Sequence, residues 1–412
     1  MKQSTSTAPV PSRAGSGAHS SATTRRLVAT FAITQTVGYG VLYYAFSALL
    51  GPMSRDLGIS TARAAGALTT AVLVTGLASV PVGRWLDAHG GHGLMTTGSL
   101  LGAVAVFAWS QVETTPQLYA AFAMIGVASA MVLYEPAFAV IVAATGPAHR
   151  TKALLGITLV AGFASSIFIP LTGHLVDAYG WRQTLVILAS VLAVLTVPLH
   201  ATALRRAKPR SRGRATGPAG SARRVMRDAG FWVLASAFVL HSAALAVIAV
   251  HLVLYLVSLG HPPARAATLA GLLGLLSVTG RAVTTLSLRW LPMASITAAI
   301  LVIQGAAICL LPLAGRHLAG AVACLVLFGL GFGVASIATP SILLERYGAT
   351  GYATIAGTLA TPVTLARAGA PLAGALLANA FGYRPVILTV AGACVAAGLL
   401  LALSRRLQAP AR

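Results

Sequence analysis

Three side chains that are charged at neutral pH lie inside long apolar stretches of this sequence: Glu135, Arg281 and Arg367. An ionised side chain at the centre of a membrane-spanning helix costs about 3 kcal/mol or more, so such residues are rare and usually functional. A guanidinium group keeps its proton and can donate two parallel hydrogen bonds to a carboxylate. Two cations and one carboxylate in these stretches therefore indicate a path for a charged solute.

Each of the three residues has a structural interpretation beside the functional one. Arg281 is predicted to bind an anion, and the alternative is a structural ion pair. Arg367 is predicted to be a second anion clamp, or else an internal salt bridge to Glu135. Pro136 follows Glu135, frees a backbone carbonyl one turn earlier and can bend the helix. A carboxyl group that moves between a dry site and an arginine neighbour is suited to bind and release a proton, so Glu135 is the candidate for proton coupling.

Further polar residues occur in the apolar stretches at helical spacing. Tyr39 and Tyr43 follow Gln35 at four-residue intervals, and they are predicted to line a substrate cavity or else to pack. His251 shares a helix face with Tyr255 one turn later and is a candidate substrate contact. A lone intramembrane histidine is more often a hydrogen-bonded packing residue, which is the alternative for His251.

The sequence contains none of the common catalytic or metal-binding motifs. Its three cysteines lie in apolar stretches without a disulfide or metal spacing. It has no His-Glu-x-x-His segment, phosphate loop or pair of intramembrane aspartates, and only 7 acidic residues in total. We therefore predict a protein that is not an enzyme and that uses no metal or cofactor.

The composition is that of a helical membrane protein. The 412 residues are 57% hydrophobic and 9% charged, whereas a soluble domain carries about 25% charged residues. Twelve apolar stretches can be counted in the sequence, and most approach the roughly 20 residues that a helix needs to cross a bilayer. The predicted fold class is an all-α membrane protein with twelve transmembrane helices.

Topology explains the formal net charge of +22 better than nucleic-acid binding does. With the amino terminus in the cytoplasm, 21 of the 29 Lys and Arg residues fall in cytoplasmic segments and 6 in external loops. We therefore predict an integral protein of the cytoplasmic (inner) membrane with both termini in the cytoplasm. Its basic segments are expected to contact the lipid bilayer, with no nucleic-acid partner.

The chain repeats itself at an offset of 202 residues. LGISTARAA at 57–65 recurs as LGHPPARAA at 259–267, and GWR at 180–182 recurs as GYR at 382–384. Six spans per half keep both halves in one orientation, and repeats of this kind place the substrate site at their interface. The predicted parts are a disordered cytoplasmic tail at 1–26, an N-terminal bundle at 27–204, a basic linker at 205–229, a C-terminal bundle at 230–404 and a tail at 405–412.

This duplicated arrangement resembles the major facilitator superfamily. The loop at 83–92 matches that family's loop pattern at Gly83, Asp87 and Gly90, and departs from it at the three basic positions. The resemblance implies the major facilitator fold of two pseudo-symmetric six-helix bundles. It also implies a cytoplasmic latch, in which Asp87 lies near the positive end of the eleventh helix and the glycines allow close helix approach.

Within the superfamily, the chain resembles the monocarboxylate and oxalate–formate transporters. The resemblance rests on segment 150–182 and on the cations Arg281 and Arg367 in the eighth and eleventh spans, where that group holds the substrate carboxylate. The chain departs from the group in two ways. Its first span lacks an acidic residue, and Ser277 stands one turn before Arg281, where the monocarboxylate carriers place an aspartate.

We predict proton-coupled secondary transport of a small organic anion, a carboxylate, by a monomer that works through alternating access. The alternative is a proton-driven exporter of hydrophobic or cationic compounds. Such antiporters usually show a Gly-Pro pair in the fifth span, where this chain has Ile169-Pro170, and arginines in the site would repel cations. The single acidic residue expected in the cavity keeps this alternative open. Anion exchange and a sensor without transport activity also stay open.

Overall fold

The computed structural model describes residues 14–204 and 224–406. Within these two ranges the chain forms helices and no strand, which confirms the all-α class. The predicted tail at 1–26 is corrected in part, because the first helix already begins at Ala14. Residues 1–13 of that tail, residues 205–223 of the predicted linker at 205–229 and residues 407–412 of the predicted C-terminal tail lie outside the described residues.

The first half consists of eight helices and a π-turn within the residues described. They are α1 (Ala14–Tyr39), the π-turn Gly40–Tyr44, α2 (Ala45–Asp56), α3 (Thr61–His89), α4 (Gly91–Ser110), α5 (Thr115–Val132), α6 (Tyr134–Ala144), α7 (Pro147–Ala161) and α8 (Ala164–Ala203).

The second half consists of seven helices over residues 224–406. They are α9 (Ala229–Ser258), α10 (Pro263–Ser287), α11 (Met293–Ala314), α12 (Leu318–Leu330), α13 (Ala335–Tyr347), α14 (Tyr352–Phe381) and α15 (Tyr383–Arg406).

The helices run back and forth between two ends of the bundle. At one end, called the Asp56 end, the guanidinium of Arg182 donates to the Asp56 carboxylate at 3.1 Å and to the Ser110 carbonyl at 3.0 Å. At the opposite end, called the Asp87 end, the carboxylate of Asp87 accepts a hydrogen bond from Thr354 of the second half. These contacts fix which helix termini lie together.

Nine helical segments of the described residues are long and apolar enough to cross a membrane. One of them, His149–Ala203, reverses direction at Gly180, whose φ of 76° lies outside the helical range, so it makes two passes. Segment 14–56 and α14 also run the length of the bundle. The twelve predicted spans fit these passes. Their number stays a prediction, because only nine segments of the described residues are both long and apolar enough to be identified as membrane spans.

Large apolar side chains cover the outside of the bundle. Val194, Leu275 and Leu313 each expose about 70% of their surface: 70%, 69% and 71%. A soluble protein seldom exposes apolar surface on this scale, whereas hydrocarbon solvates it without cost. The exposed surface therefore fits a chain surrounded by lipid.

The two halves share a core at the Asp87 end and have separate cores elsewhere. The shared cluster joins Leu86 and Phe138 of the first half to Phe238 and Ile355 of the second. A second cluster contains residues between 37 and 192 only, and a third contains residues between 244 and 394 only. The molecule is thus closed at the Asp87 end. The bundle boundaries at 27–204 and 230–404 stay a prediction.

Candidate functional site

A break between α5 and α6 positions Glu135. Leu133 has a non-helical ψ of −157°, and Pro136 has no N–H to donate to the carbonyl of Val132. Gln35 of α1 donates its amide Nε2 to this freed carbonyl at 2.7 Å. Glu135 consequently lies in the first turn of α6, where unpaired backbone N–H groups favour a negative charge. The sequence predicted the bend and the freed carbonyl, but not the partner that satisfies it.

A π-turn in the first pass decides which tyrosines share a face. The N–H of Ala45 donates to the carbonyl of Gly40, five residues earlier, so the helix contains one extra residue in this turn. Tyr44 rather than Tyr43 therefore continues the face of Tyr39, and the rings of Tyr39 and Tyr44 lie 6.5 Å apart. Tyr43 is 41% exposed and its ring meets Tyr44 edge-on. The regular stripe predicted through Tyr43 is corrected accordingly.

Three tyrosines of the first half form one aromatic surface, called the tyrosine wall: Tyr39, Tyr44 and Tyr134. The ring centroids of Tyr39 and Tyr134 lie 4.6 Å apart. Phe138 stacks behind Tyr134 at 5.0 Å with an interplanar angle of 13°. The three tyrosines are half-buried, so the wall is supported from behind and keeps surface free on its other side.

Arg281 of α10 connects the two halves. Its Nη1 donates to the carbonyl of Thr158 on α7 at 2.6 Å, and its Nε donates to the carbonyl of Gly333 at 3.4 Å. Tyr134 lies beside the same guanidinium. Among the described residues no carboxylate lies within 4.0 Å of Arg281. The structural ion pair weighed from the sequence is therefore not formed here.

Arg367 of α14 is the more open of the two cations. Its Nε donates to the hydroxyl of Ser242 on α9 at 3.2 Å, and its side chain is exposed although it lies at mid-helix. Its guanidinium is within electrostatic range of Tyr44 and Glu135. Within residues 14–204 and 224–406 its two Nη atoms make no hydrogen bond, so they are free to bind a ligand.

Glu135 is also exposed and does not pair with Arg367. The two charges act on each other, yet no oxygen of Glu135 comes within 4.0 Å of a nitrogen of Arg367. Glu135 of the first half and Arg367 of the second are thus exposed near each other and near the tyrosine wall, and we interpret the space they share as a cavity between the halves. The salt bridge considered from the sequence is absent from this conformation.

His251 lies outside this group of residues. It is 5% exposed, its Nε2–H donates to the carbonyl of Pro371 at 2.9 Å, and its ring packs 5.9 Å from that of Tyr383. It therefore tethers α9 to α14 by a packing contact, which corrects its prediction as a substrate contact. His241, expected to have a packing role, is hydrogen-bonded to Gln304 at 3.0 Å.

Asp87 binds the amino terminus of α14. Its carboxylate accepts hydrogen bonds from the backbone N–H groups of Ala353 and Thr354 at 3.2 and 2.8 Å, and from the Thr354 hydroxyl at 2.6 Å. Gly83 packs directly against the backbone of Ala353, where a Cβ atom would clash. Gly90 has a different task, because its φ of 79° ends α3 and favours glycine. The latch role of the three residues stays a proposal.

The second half has no matching contact at the position equivalent to Asp87. Adding the repeat offset to 87 gives Arg289, whose guanidinium lies over the ring of Trp290 at 4.0 Å. The helix pair α7 and α10 is instead linked by Arg281 and Thr158. The closed end is thus held by two chemically different contacts on two helix pairs.

No group of three or more His, Cys, Asp or Glu residues that could hold a metal ion occurs in the described part of the chain.

Comparison with known proteins gives one family and several solved structures. The model of the Major Facilitator Superfamily matches residues 31–369. No curated protein matches the sequence. The structure is similar to that of the human organic anion transporter MFSD10 (TETRAN), with 15% identity, a TM-score of 0.73, and coverage of 92% of this chain and 99% of that chain.

Two further solved structures have similar scores. The Escherichia coli fucose:proton symporter FucP is 16% identical, with a TM-score of 0.72 and coverage of 92% of this chain and 98% of that one. The proton:xylose symporter XylE bound to 6-bromo-6-deoxy-D-glucose is 12% identical, with a TM-score of 0.71 and coverage of 92% and 95%. At such identities the similarity establishes the fold alone.

Proposed function

The chain belongs to the Major Facilitator Superfamily, and from this premise we propose that it moves a small organic carboxylate across the membrane by alternating access. As a member of this family it is a multi-pass membrane transporter and not an enzyme. The sequence resemblance to the superfamily is thereby confirmed, whereas the monocarboxylate and oxalate–formate subgroup remains part of the proposal. We further propose that the Asp87 end and both termini face the cytoplasm at an inner membrane, which the excess of Lys and Arg at that end supports, and that the protein acts as a monomer.

The observation that carries this proposal is the charge of the cavity. Arg281 and Arg367 of the second half face the tyrosine wall of the first, and no carboxylate of the described residues lies within 4.0 Å of either guanidinium. Glu135 is the one acidic neighbour, so the site has an excess of positive charge. Guanidinium groups bind carboxylates through paired hydrogen bonds, and a small anion bound here would neutralise that excess.

Proton coupling follows from the position of Glu135 next to Arg367. A carboxylate cargo that binds Arg367 brings a second negative charge to this guanidinium. Two carboxylates that share one site do not both remain ionised, so one of them takes up a proton. We assign that proton to Glu135, which makes proton symport the simplest mode of transport.

The names of the similar proteins are compatible with this assignment. One is described as an organic anion transporter and two as proton symporters. An exporter of cations is the less supported alternative, because two guanidinium groups in the cavity repel a cation and a single carboxylate attracts it.

Uptake into liposomes that contain the purified protein tests the proposal. Labelled mono- and dicarboxylates are offered with an imposed pH gradient to wild type, Arg281→Gln and Arg367→Gln. Arg265→Gln is the matched control, because Arg265 is an exposed cation near the start of the same helix as Arg281. We expect uptake by wild type and the control, and at least a roughly tenfold loss in the two cavity variants, about 1.4 kcal/mol of binding free energy. Equal uptake by all four proteins would contradict the proposal, as would transport of cations only.

A further inference from the structure

We propose that the cargo is an aromatic monocarboxylate and that Tyr44 is the residue that selects its ring. This inference rests on the proposed carboxylate transport and specifies the substrate class. It is carried by three features: two walls of different chemistry, a π-turn that brings Tyr44 into one of them, and the charge count of the cavity.

The two sides of the cavity differ in chemistry and in origin. The second half contributes the guanidinium groups of Arg281 and Arg367. The first half contributes the tyrosine wall, and both guanidiniums are within electrostatic range of Tyr44. A solute that fills this space has an anionic group on one side and an apolar face on the other. A solute as small as acetate could neutralise the arginines but would leave the aromatic surface uncovered.

The shape of the aromatic side favours a flat ring over a saturated one. Tyr39 and Tyr134 lie in ring contact at 4.6 Å, and Tyr134 stacks on Phe138 at 5.0 Å. A flat aromatic solute can continue such a series by an offset-stacked or edge-to-face contact. A saturated ring of the same size buries apolar area without this geometry.

Tyr44 occupies the central place because of the π-turn. Gly40 begins this turn and packs against the buried ring of Phe168, where a Cβ atom would clash. The extra residue brings Tyr44 beside Tyr39 and both arginines and leaves Tyr43 edge-on behind it. π-turns inside α-helices are frequent at functional sites, and this one exchanges one tyrosine for its neighbour at the position that meets the cargo.

The charge count of each side of the cavity favours a cargo with one carboxylate. The second half contributes two guanidinium groups, whereas the first half contributes the tyrosine wall and Glu135 and, among the described residues, no cation. A second carboxylate at the far end of the cargo would lie against the tyrosine wall without a cation to pair with. The arrangement therefore selects a monocarboxylate.

Binding of labelled benzoate to the purified full-length protein tests this assignment, with unlabelled cyclohexanecarboxylate and acetate as competitors. Benzoate and cyclohexanecarboxylate have the same charge and similar size, but only benzoate has a flat π-surface. We expect benzoate to bind roughly 3- to 10-fold more tightly than cyclohexanecarboxylate, the range that one aromatic contact supplies. Tyr44→Leu should remove this preference, while Tyr44→Phe should retain it because the ring is kept.

Two further variants separate the role of Tyr44 from a general loss of structure. Tyr179→Leu changes a tyrosine that is 61% exposed outside the cavity and should bind benzoate like wild type. Tyr43→Leu should weaken the preference less than Tyr44→Leu does, whereas a regular helix would give the opposite order. Equal affinity for benzoate and cyclohexanecarboxylate in wild type, or an unchanged preference in Tyr44→Leu, would overturn the inference. If acetate is transported but benzoate does not bind, only this inference fails; if no carboxylate is transported, the proposed function fails.

Discussion

At the scale of single residues, Glu135 is the group to which we assign the proposed proton coupling. Its carboxylate is exposed in the cavity, near Arg367 but not paired with it. Glu135→Gln keeps the shape of the side chain and removes the exchangeable proton. We expect the variant to lose the acceleration of uptake by an inward proton gradient, and to keep exchange of labelled for unlabelled carboxylate across the membrane.

The measurement compares uptake with and without a pH gradient, and counterflow at equal pH on both sides. Glu113→Gln is a suitable control, since Glu113 is exposed in the connection between α4 and α5 at the Asp56 end. Acceleration by the gradient that survives in Glu135→Gln would remove this residue from the coupling mechanism. Loss of both gradient-driven uptake and counterflow would assign it to substrate binding instead.

The charged residues of the site could be predicted from the sequence, and most of its tyrosines could not. Arg281, Arg367 and Glu135 can be identified from the sequence because a charged side chain is costly to bury in hydrocarbon and is therefore rare inside an apolar stretch. Tyr44 was missed because the sequence does not encode a π-turn through any residue pattern; the turn depends on how Gly40 packs against another helix. Tyr134 had a signal, since it directly precedes Glu135 in the sequence.

At the scale of helices, breaks in the two halves follow the same repeat. The first half breaks between Val132 and Tyr134, and the second between Leu330 and Ala335; the offset of 202 maps Leu133 onto Ala335, directly after the second break. Pro136 made the first break predictable. The second has no proline in the equivalent place. There Gly331 packs against Gln304 and Gly333 against Ser277, where a Cβ atom would clash, and the sequence does not reveal these partners.

The contact between Asp87 and α14 should stabilise the closed end of the molecule. A carboxylate at a helix amino terminus contributes about 0.3–1 kcal/mol, and up to about 2 kcal/mol where partly buried. Asp87→Asn keeps an oxygen that accepts hydrogen bonds but loses the charge. We therefore expect the fraction of molecules open at the Asp87 end to rise roughly 2- to 30-fold.

Distances between spin labels at exposed positions 88 and 350, one on each half at the Asp87 end, measure this fraction directly. Asp177→Asn changes an exposed aspartate outside this contact and should leave the distance distribution as in wild type. Both carboxylate oxygens of Asp87 accept hydrogen bonds and Asn keeps only one of them, so a distribution that also stays unchanged in Asp87→Asn would contradict a role of Asp87 in holding this end closed.

At the scale of the whole molecule, closure depends on two contacts between different helix pairs. Asp87 ties α3 to α14, and Arg281 ties α10 to α7 through the carbonyl of Thr158. The shared core lies at the same end, while the clusters of each half remain separate elsewhere. Alternating access in this family requires these contacts to break when the halves rock about the substrate site.

If the proposed carboxylate cargo binds Arg281, it competes with the carbonyl of Thr158 for the guanidinium, and this competition would couple substrate binding to opening. Arg281→Gln removes the donor to Thr158, so we expect the label distance at the Asp87 end to shift toward the open form even without substrate. Since the two contacts share no partner residue, their effects on the free energy of opening should add within about 0.5 kcal/mol in the double variant with Asp87→Asn. If Arg281→Gln abolishes substrate binding but leaves the label distances unchanged, Arg281 contributes to substrate binding and not to closure of the Asp87 end. A double variant no more open than either single variant would show that the two helix pairs open as one unit.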